Sequence, residues 1–145
     1  MGRAWMMGVV SIGVFSISGV AQERIVPEGQ ERVYEQFHYA PAVRVGNTLY
    51  LSGVVSGDPD PETQFDQVFQ NLRRVLEAAG ATMADVVEIT TFHVDMGDHI
   101  EAFMRVKDRY MTESYPAWTA IGIERLFSPQ SLVEVKATAV VPEGG

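Results

Sequence analysis

Two stretches of helical period are all this chain offers to cover the sheet its strand-like segments would build, and that ratio limits the fold more than any other feature. The first runs Phe65, Val68, Phe69, Leu72, Val75, Leu76 and Ala79 at steps of three and four and stops before Gly80, the pattern of an amphipathic helix ended by glycine. The second is Ile100, Phe103, Met104, Lys107, Tyr110 and Met111, with Lys107 its one polar member. Around them lie the strand candidates. Ala42 to Val45 and Thr48 to Leu51 flank Gly46-Asn47, a two-residue connection whose types tolerate positive φ, so this pair is expected to be a β-hairpin. Val33 to Phe37 is expected to precede it as another strand. Val86 to Val94 is rich in β-branched residues, and Ala117 to Ile123 and Leu132 to Val141 follow, separated by Ser128-Pro129-Gln130-Ser131. Two helices can cover one face of a mixed sheet but not both. The expected class is α+β, a mixed sheet covered on one face by two helices, and a chain of 145 residues closes the other face most simply by oligomerising.

The N-terminal segment is different in kind. Arg3 precedes an uncharged apolar run from Ala4 to Val20, and Gly19-Val20-Ala21 puts small residues at the first and last positions of a cleavage triplet. Residues 1–21 therefore read as a secretory signal peptide, which gives a periplasmic or secreted protein with no membrane association after cleavage. The other reading is a retained anchor, since the run falls just short of the roughly 20 apolar residues of a spanning helix. Residues 22–31, polar with Pro27 and Gly29, read as a linker, and 32–145 as one folded domain. With 46% hydrophobic and 21% charged residues the composition is globular, and with no cysteine the core must hold the fold without disulfides. The net charge is −8, and removal of Arg3 with the leader makes the remainder one unit more acidic. Its basic residues are scattered apart from Arg73-Arg74, so nucleic acid is not an expected partner.

Four stretches in this order carry a resemblance. YAPAVRVGNTLYLSG, from Tyr39, holds a tyrosine, a glycine turn and a terminal Ser-Gly. QVFQNLRRVLEAAGATMADVVEITTFHVDM carries a helix through Ala-Gly and Asp-Val-Val into a strand, and YPAWTAIGIERL with LVEVKATAV closes the chain. Together they resemble the Rid (reactive-intermediate deaminase; YjgF/YER057c/UK114) family from about Tyr39 to Val140. The resemblance implies a chorismate-mutase-like fold, a homotrimer around a central barrel and a small-molecule ligand in clefts between subunits, with no cofactor. It also implies an arginine two residues after the proline that grips the carboxylate of a 2-imino acid, and a glutamate that helps position water for hydrolysis to the keto acid and ammonia. By that resemblance Tyr39, Ser52, Gly53, Phe103 and Trp118 are ligand-binding positions and Glu134 the catalytic one. Trp118 stands where the arginine is expected, Phe103 where a polar asparagine is usual, and Val54 where a glutamine is frequent. Efficient 2-imino acid deamination is not expected of such a site. A binder of a small aromatic or apolar metabolite, a hydrolase of imines or enamines that bear no carboxylate, and a protein with filled clefts all stay open.

Each position also has a plainer role. Strand alternation puts Trp118, Ala120 and Gly122 on one face, where the indole either fills space beside small residues or floors a pocket. Glu134 shares a face with Lys136 and Thr138 and is as readily a paired structural carboxylate. His93, Asp95, Asp98 and His99 could serve a divalent metal, but Asp98 is a ready N-cap for the second helix and no metal site is expected. Arg44 is expected to be a solvated or intersubunit charge, Arg125 is no evident substitute for the missing arginine, and His38 has no assigned role.

Overall fold

The computed structural model describes residue 19 and residues 21–142. The elements in chain order are β1 (Gln22–Ile25), α1 (Glu31–Phe37), β2 (Ala42–Val45), β3 (Thr48–Val54), α2 (Pro61–Ala78), a short 3-10 turn (Met83–Asp85), β4 (Val86–Val94), α3 (Met96–Tyr110), β5 (Ala117–Ile123) and β6 (Val133–Val140). The six strands form one sheet in the order β1-β2-β3-β6-β4-β5. Neighbours are antiparallel except β4 and β5, which run parallel through the crossover helix α3.

The hairpin forms at Gly46-Asn47, with Val45 opposite Thr48 and Gly46 at φ 60, a backbone region that costs glycine little. In α2, Asp60 caps the first turn by accepting from the Thr63 amide at 2.8 Å, and Pro61 occupies a first-turn position. All seven expected stripe residues are buried. The β6 alternation is equally clear: Val133, Val135, Ala137 and Ala139 face the helices and are fully buried, so Glu134, Lys136 and Thr138 point to the face that α2 and α3 leave uncovered.

Five expectations need correction. Residues 31–37 form helix α1, not a strand. Val33 and Phe37 fit a helical step of four as well as alternation, and the element buries none of its residues, so no core pattern distinguished the two. Gln22–Ile25, read as linker, pairs along β2 as an edge strand through its backbone, with only Ile25 buried. The stripe of α3 is rotated: His99, Phe103 and Val106 are its buried residues, while Met104 is exposed. Its N-cap is Asp95, in the left-handed region at φ 52, and Asp98 lies inside the first turn. Arg44, expected to be a solvated or intersubunit charge, is partly buried and bonded within its own chain. Its guanidinium donates to the carbonyl of Ala79, one of the groups left unpaired where α2 ends, and cationic groups are favoured there. The proposed signal peptide lies outside the described residues apart from its last positions, and no helix among the described residues is long and apolar enough to cross a membrane.

Candidate functional site

The β3–β6 pairing shifts register between Leu51 and Val54, and this irregularity builds the site. At Ser52 the backbone N–H donates to the Pro41 carbonyl at 2.9 Å and the hydroxyl donates to the Ala40 carbonyl at 2.7 Å. Both bonds fasten the segment after α1 to β3 and hold Tyr39 beside Gly53. Ser52 thus acts first as a clamp, with its oxygen left able to accept. Gly53 is required by close approach. A Cβ built there would collide with the Glu134 carboxylate and lie 2.7 Å from its Cγ, so the Glu134 side chain lies directly over the glycine backbone.

Two adjoining cavities of about 320 and 310 Å³ share Val33, Tyr39, Gly53 and Val55. The first extends along Gln30, Ser52, Val54 and Asn71. The second extends along Phe37, Phe127, Ser128 and Glu134. Burial raises the pKa of the Glu134 carboxyl from its ordinary value. The expected pairing with Lys136 or Thr138 does not form: Thr138 donates to Glu88 of the neighbouring strand at 3.0 Å, and Glu134 makes no salt bridge among the described residues.

Trp118 and Phe103 are elsewhere. Phe103 is 0% exposed and packs against Phe65, Phe69, His93 and Trp118, so it is a core residue lining neither cavity. Trp118 turns to the helix side at the sheet edge. Its Nε1–H donates to the Thr91 hydroxyl at 2.9 Å, and the Lys107 ammonium sits 5.0 Å from the centre of its ring. The indole forms one wall of a separate groove of about 490 Å³ with Ile89, Met111, Tyr115 and Pro116. Within one chain, therefore, Tyr39, Ser52, Gly53, Val54 and Glu134 come together, whereas Phe103 and Trp118 do not join them. Arg125 is exposed and lines neither cavity.

His93 and His99, separated in the sequence by a turn, do face each other, with ring centroids 5.7 Å apart. His93 Nε2 and the Thr91 hydroxyl are 2.7 Å apart, while His93 Nδ1 and His99 Nε2 are buried without partners. Burial, aided by the charge of His99, pushes the His93 pKa down to about 4. Burial also lowers that of His99, against the opposing pull of Asp95 and Asp98. Both imidazoles lie in the packed core, and no group of three or more His, Asp or Glu among the described residues is placed to hold a metal ion.

Sequence reasoning missed Phe37, Phe127 and Asn71 as cavity residues. Only Asn71 carried a signal, standing three residues after Val68 and four before Val75 at the margin of the apolar stripe.

Residues 29–141 match the family described as Endoribonuclease L-PSP. The chain belongs to this family. Among its relatives, the RutC family protein YjgH of Escherichia coli (strain K12) is 35% identical over 131 residues, which cover 86% of this chain and 98% of that protein. The 2-iminobutanoate/2-iminopropanoate deaminase of Dermatophagoides farinae is 34% identical over 113 residues, 71% of this chain and 85% of its own. The solved structure of protein YjgH superposes with a TM-score of 0.77 at 33% identity, covering 84% of this chain and 98% of that one. Rv2704 of Mycobacterium tuberculosis, a member of the YjgF/YER057c/UK114 family, superposes with a TM-score of 0.75 at 26% identity over 83% and 100% of the two chains. The resemblance to the Rid family and the mixed-sheet fold expected from it are thereby established, and this L-PSP family chain shares its fold with members of that group.

Proposed function

We propose that this protein is a periplasmic or secreted Rid-type homotrimer that binds a small apolar metabolite at clefts between subunits and is a poor 2-imino acid deaminase. The observation that carries the proposal is the charge of the two adjoining cavities: among the described residues Glu134 is the one charged side chain that lines them, and no guanidinium among those residues is there to hold a carboxylate. Position 118, where the resemblance calls for arginine, supplies an indole instead. Loss of a buried bidentate partner costs roughly 3–5 kcal/mol, or two to four orders of magnitude in capture. The uncovered sheet face, which exposes Tyr50 and Ile121, supports the trimer, since a barrel of three sheets would bury it. The family is described as an endoribonuclease, yet an acidic chain whose basic residues are scattered apart from Arg73-Arg74 is poorly suited to a phosphate backbone.

A second reading is favoured by Glu134 itself. A desolvated carboxylate without a salt-bridge partner is a stronger base than one in water, and it could take a proton from a water that attacks a C=N carbon. The nitrogen would then leave as ammonia or amine. This reading makes the protein an imine or enamine hydrolase acting on substrates without a carboxylate.

The test is an assay of imino acids generated in situ, with light scattering to establish the oligomer. The natural protein should be nearly silent and Trp118→Arg should gain turnover. Strong activity in the natural protein, or a monomer in solution, would overturn the proposal. Under the second reading, Glu134→Ala abolishes turnover of carboxylate-free imines.

A further inference from the structure

Behind Trp118 the apolar core contains a short run of polar atoms. The indole Nε1–H donates to the Thr91 hydroxyl at 2.9 Å, and the same hydroxyl lies 2.7 Å from Nε2 of His93. Thr91 and His93 are alternate residues of β4, both 0% exposed. Neither solvent nor a neighbouring copy reaches these two side chains without opening the core, so the run belongs to one subunit whatever the assembly.

Counting donors fixes the direction of these bonds. An indole N–H can only donate, so the Thr91 oxygen accepts from it. The hydroxyl proton then needs an acceptor, and among the described residues His93 Nε2 is the one within hydrogen-bond distance. Burial pushes the His93 pKa down to about 4, so at neutral pH the ring carries one proton, and an accepting Nε2 puts that proton on Nδ1. Nδ1 is buried without a partner, as is Nε2 of His99, whose ring centre is 5.7 Å away, so the spare donor lies beside a nitrogen able to accept. The opposite tautomer would leave the Thr91 hydroxyl proton unpaired as well, one more buried donor without a partner.

We propose that His93, acting through Thr91, is the positioning residue of Trp118: with its proton on Nδ1 it takes the Thr91 hydroxyl proton, which turns an oxygen lone pair to the indole and fixes the ring. The consequence reaches the surface. Trp118 walls the groove with Ile89, Met111, Tyr115 and Pro116, and with Nε1–H committed inward the indole shows that groove carbon and no hydrogen-bond donor. Position 118 is thereby closed to carboxylate or carbonyl oxygens, not only stripped of a charge. This holds whether or not the cavity beside Glu134 takes a ligand.

The experiment is nitrogen NMR of the full chain at neutral pH, isotope-labelled at histidine and tryptophan, with His93→Phe and Trp118→Phe to assign the signals. His93 should show a protonated Nδ1 and a bare Nε2, favoured roughly tenfold or more over the other tautomer. Thr91→Ser keeps the hydroxyl and should keep this pattern. Thr91→Val fills nearly the same volume without the hydroxyl; it should abolish the tautomer preference and speed hydrogen exchange at the Trp118 Nε1–H roughly tenfold or more. A proton on Nε2 in the natural protein would overturn the proposal. So would a Thr91→Val protein with unchanged tautomer and exchange, the result expected if Thr91 and His93 only fill space. Should Thr91→Val fail to fold, the tautomer of the natural protein and of Thr91→Ser still decides.

Discussion

Acidification from neutral to about pH 4 should destabilise this protein through one imidazole, because His93 is 0% exposed and its folded-state pKa lies near 4 against 6.5 for a free histidine. It stands edge-on to Phe103 at 4.8 Å and beside His99, which adds positive charge if it titrates, while Asp95 and Asp98 act on His99 from the start of α3. The sign follows from which state binds the proton. Between about 6.5 and about 4 the unfolded chain takes a proton on His93 that the folded chain refuses, so stability falls as the pH falls through that window and is complete above it. At a limiting slope of about 1.36 kcal/mol per pH unit, the loss accumulates to roughly 3 kcal/mol. Urea unfolding at a series of pH values, for the natural protein and His93→Phe, isolates this contribution, since the carboxylates titrate in both and phenylalanine keeps a ring beside Phe103. The variant should lose roughly 2–3 kcal/mol less between neutral pH and pH 4. Parallel stability curves would refute the assignment.

Two further outcomes test the architecture of the site. Gly53→Ala must push the Glu134 carboxylate off the backbone it covers, and the long side chain can swing into the cavity, so the variant should lose about 1–2 kcal/mol of stability and most of its ligand binding. Retention of full affinity would show that the position of Glu134 does not matter. Gln64, buried at the start of α2, donates to the carbonyls of Asp58 and Gln130 and accepts from the Leu132 amide, tying together the two loops that precede α2 and β6. Gln64→Ala leaves those three groups unsatisfied and should cost roughly 2–4 kcal/mol by chemical denaturation; a loss under about 1 kcal/mol would mean that water replaces the side chain without penalty.

The sequence was most readable where one periodicity had to bury a face. The α2 stripe, the hairpin at Gly46, and β4, β5 and β6 each carried a local pattern that packing had no reason to override. The segments that buried little were the ones misread, because Gln22–Ile25 joins the sheet by backbone hydrogen bonds and α1 buries no side chain, so neither left a mark in its residue types. Alternation rightly put Trp118 and Gly122 on one face, since a Cβ at Gly122 would touch Met96 of α3. It could not say that this face lies toward the helices. Glu134 failed differently. Its neighbours Lys136 and Thr138 suggested pairing, but the partner of Thr138 is Glu88, more than forty residues away, and only the β4–β6 register reveals that.

The structure also divides what the sequence had grouped. Trp118, Phe103 and Val54 together suggested one pocket turned apolar, yet Phe103 and Trp118 belong to a single packing unit, with Phe103 filling the core beneath the indole and Lys107 over it, and of the three only Val54 lines the cavity that adjoins that of Glu134. Their joint occurrence therefore follows from packing and adds nothing about ligands. Trp118 faces the helices at the edge strand β5, whereas Glu134 points to the opposite face of the sheet, so one subunit cannot bring both to the same small molecule. Any effect of the indole on a ligand held by Glu134 must come from a neighbouring copy. The two contributions are thus separable. Substitution of Glu134 acts on binding within each subunit, whereas substitution of Trp118 changes ligand behaviour only if subunits associate along β5, and otherwise alters stability alone.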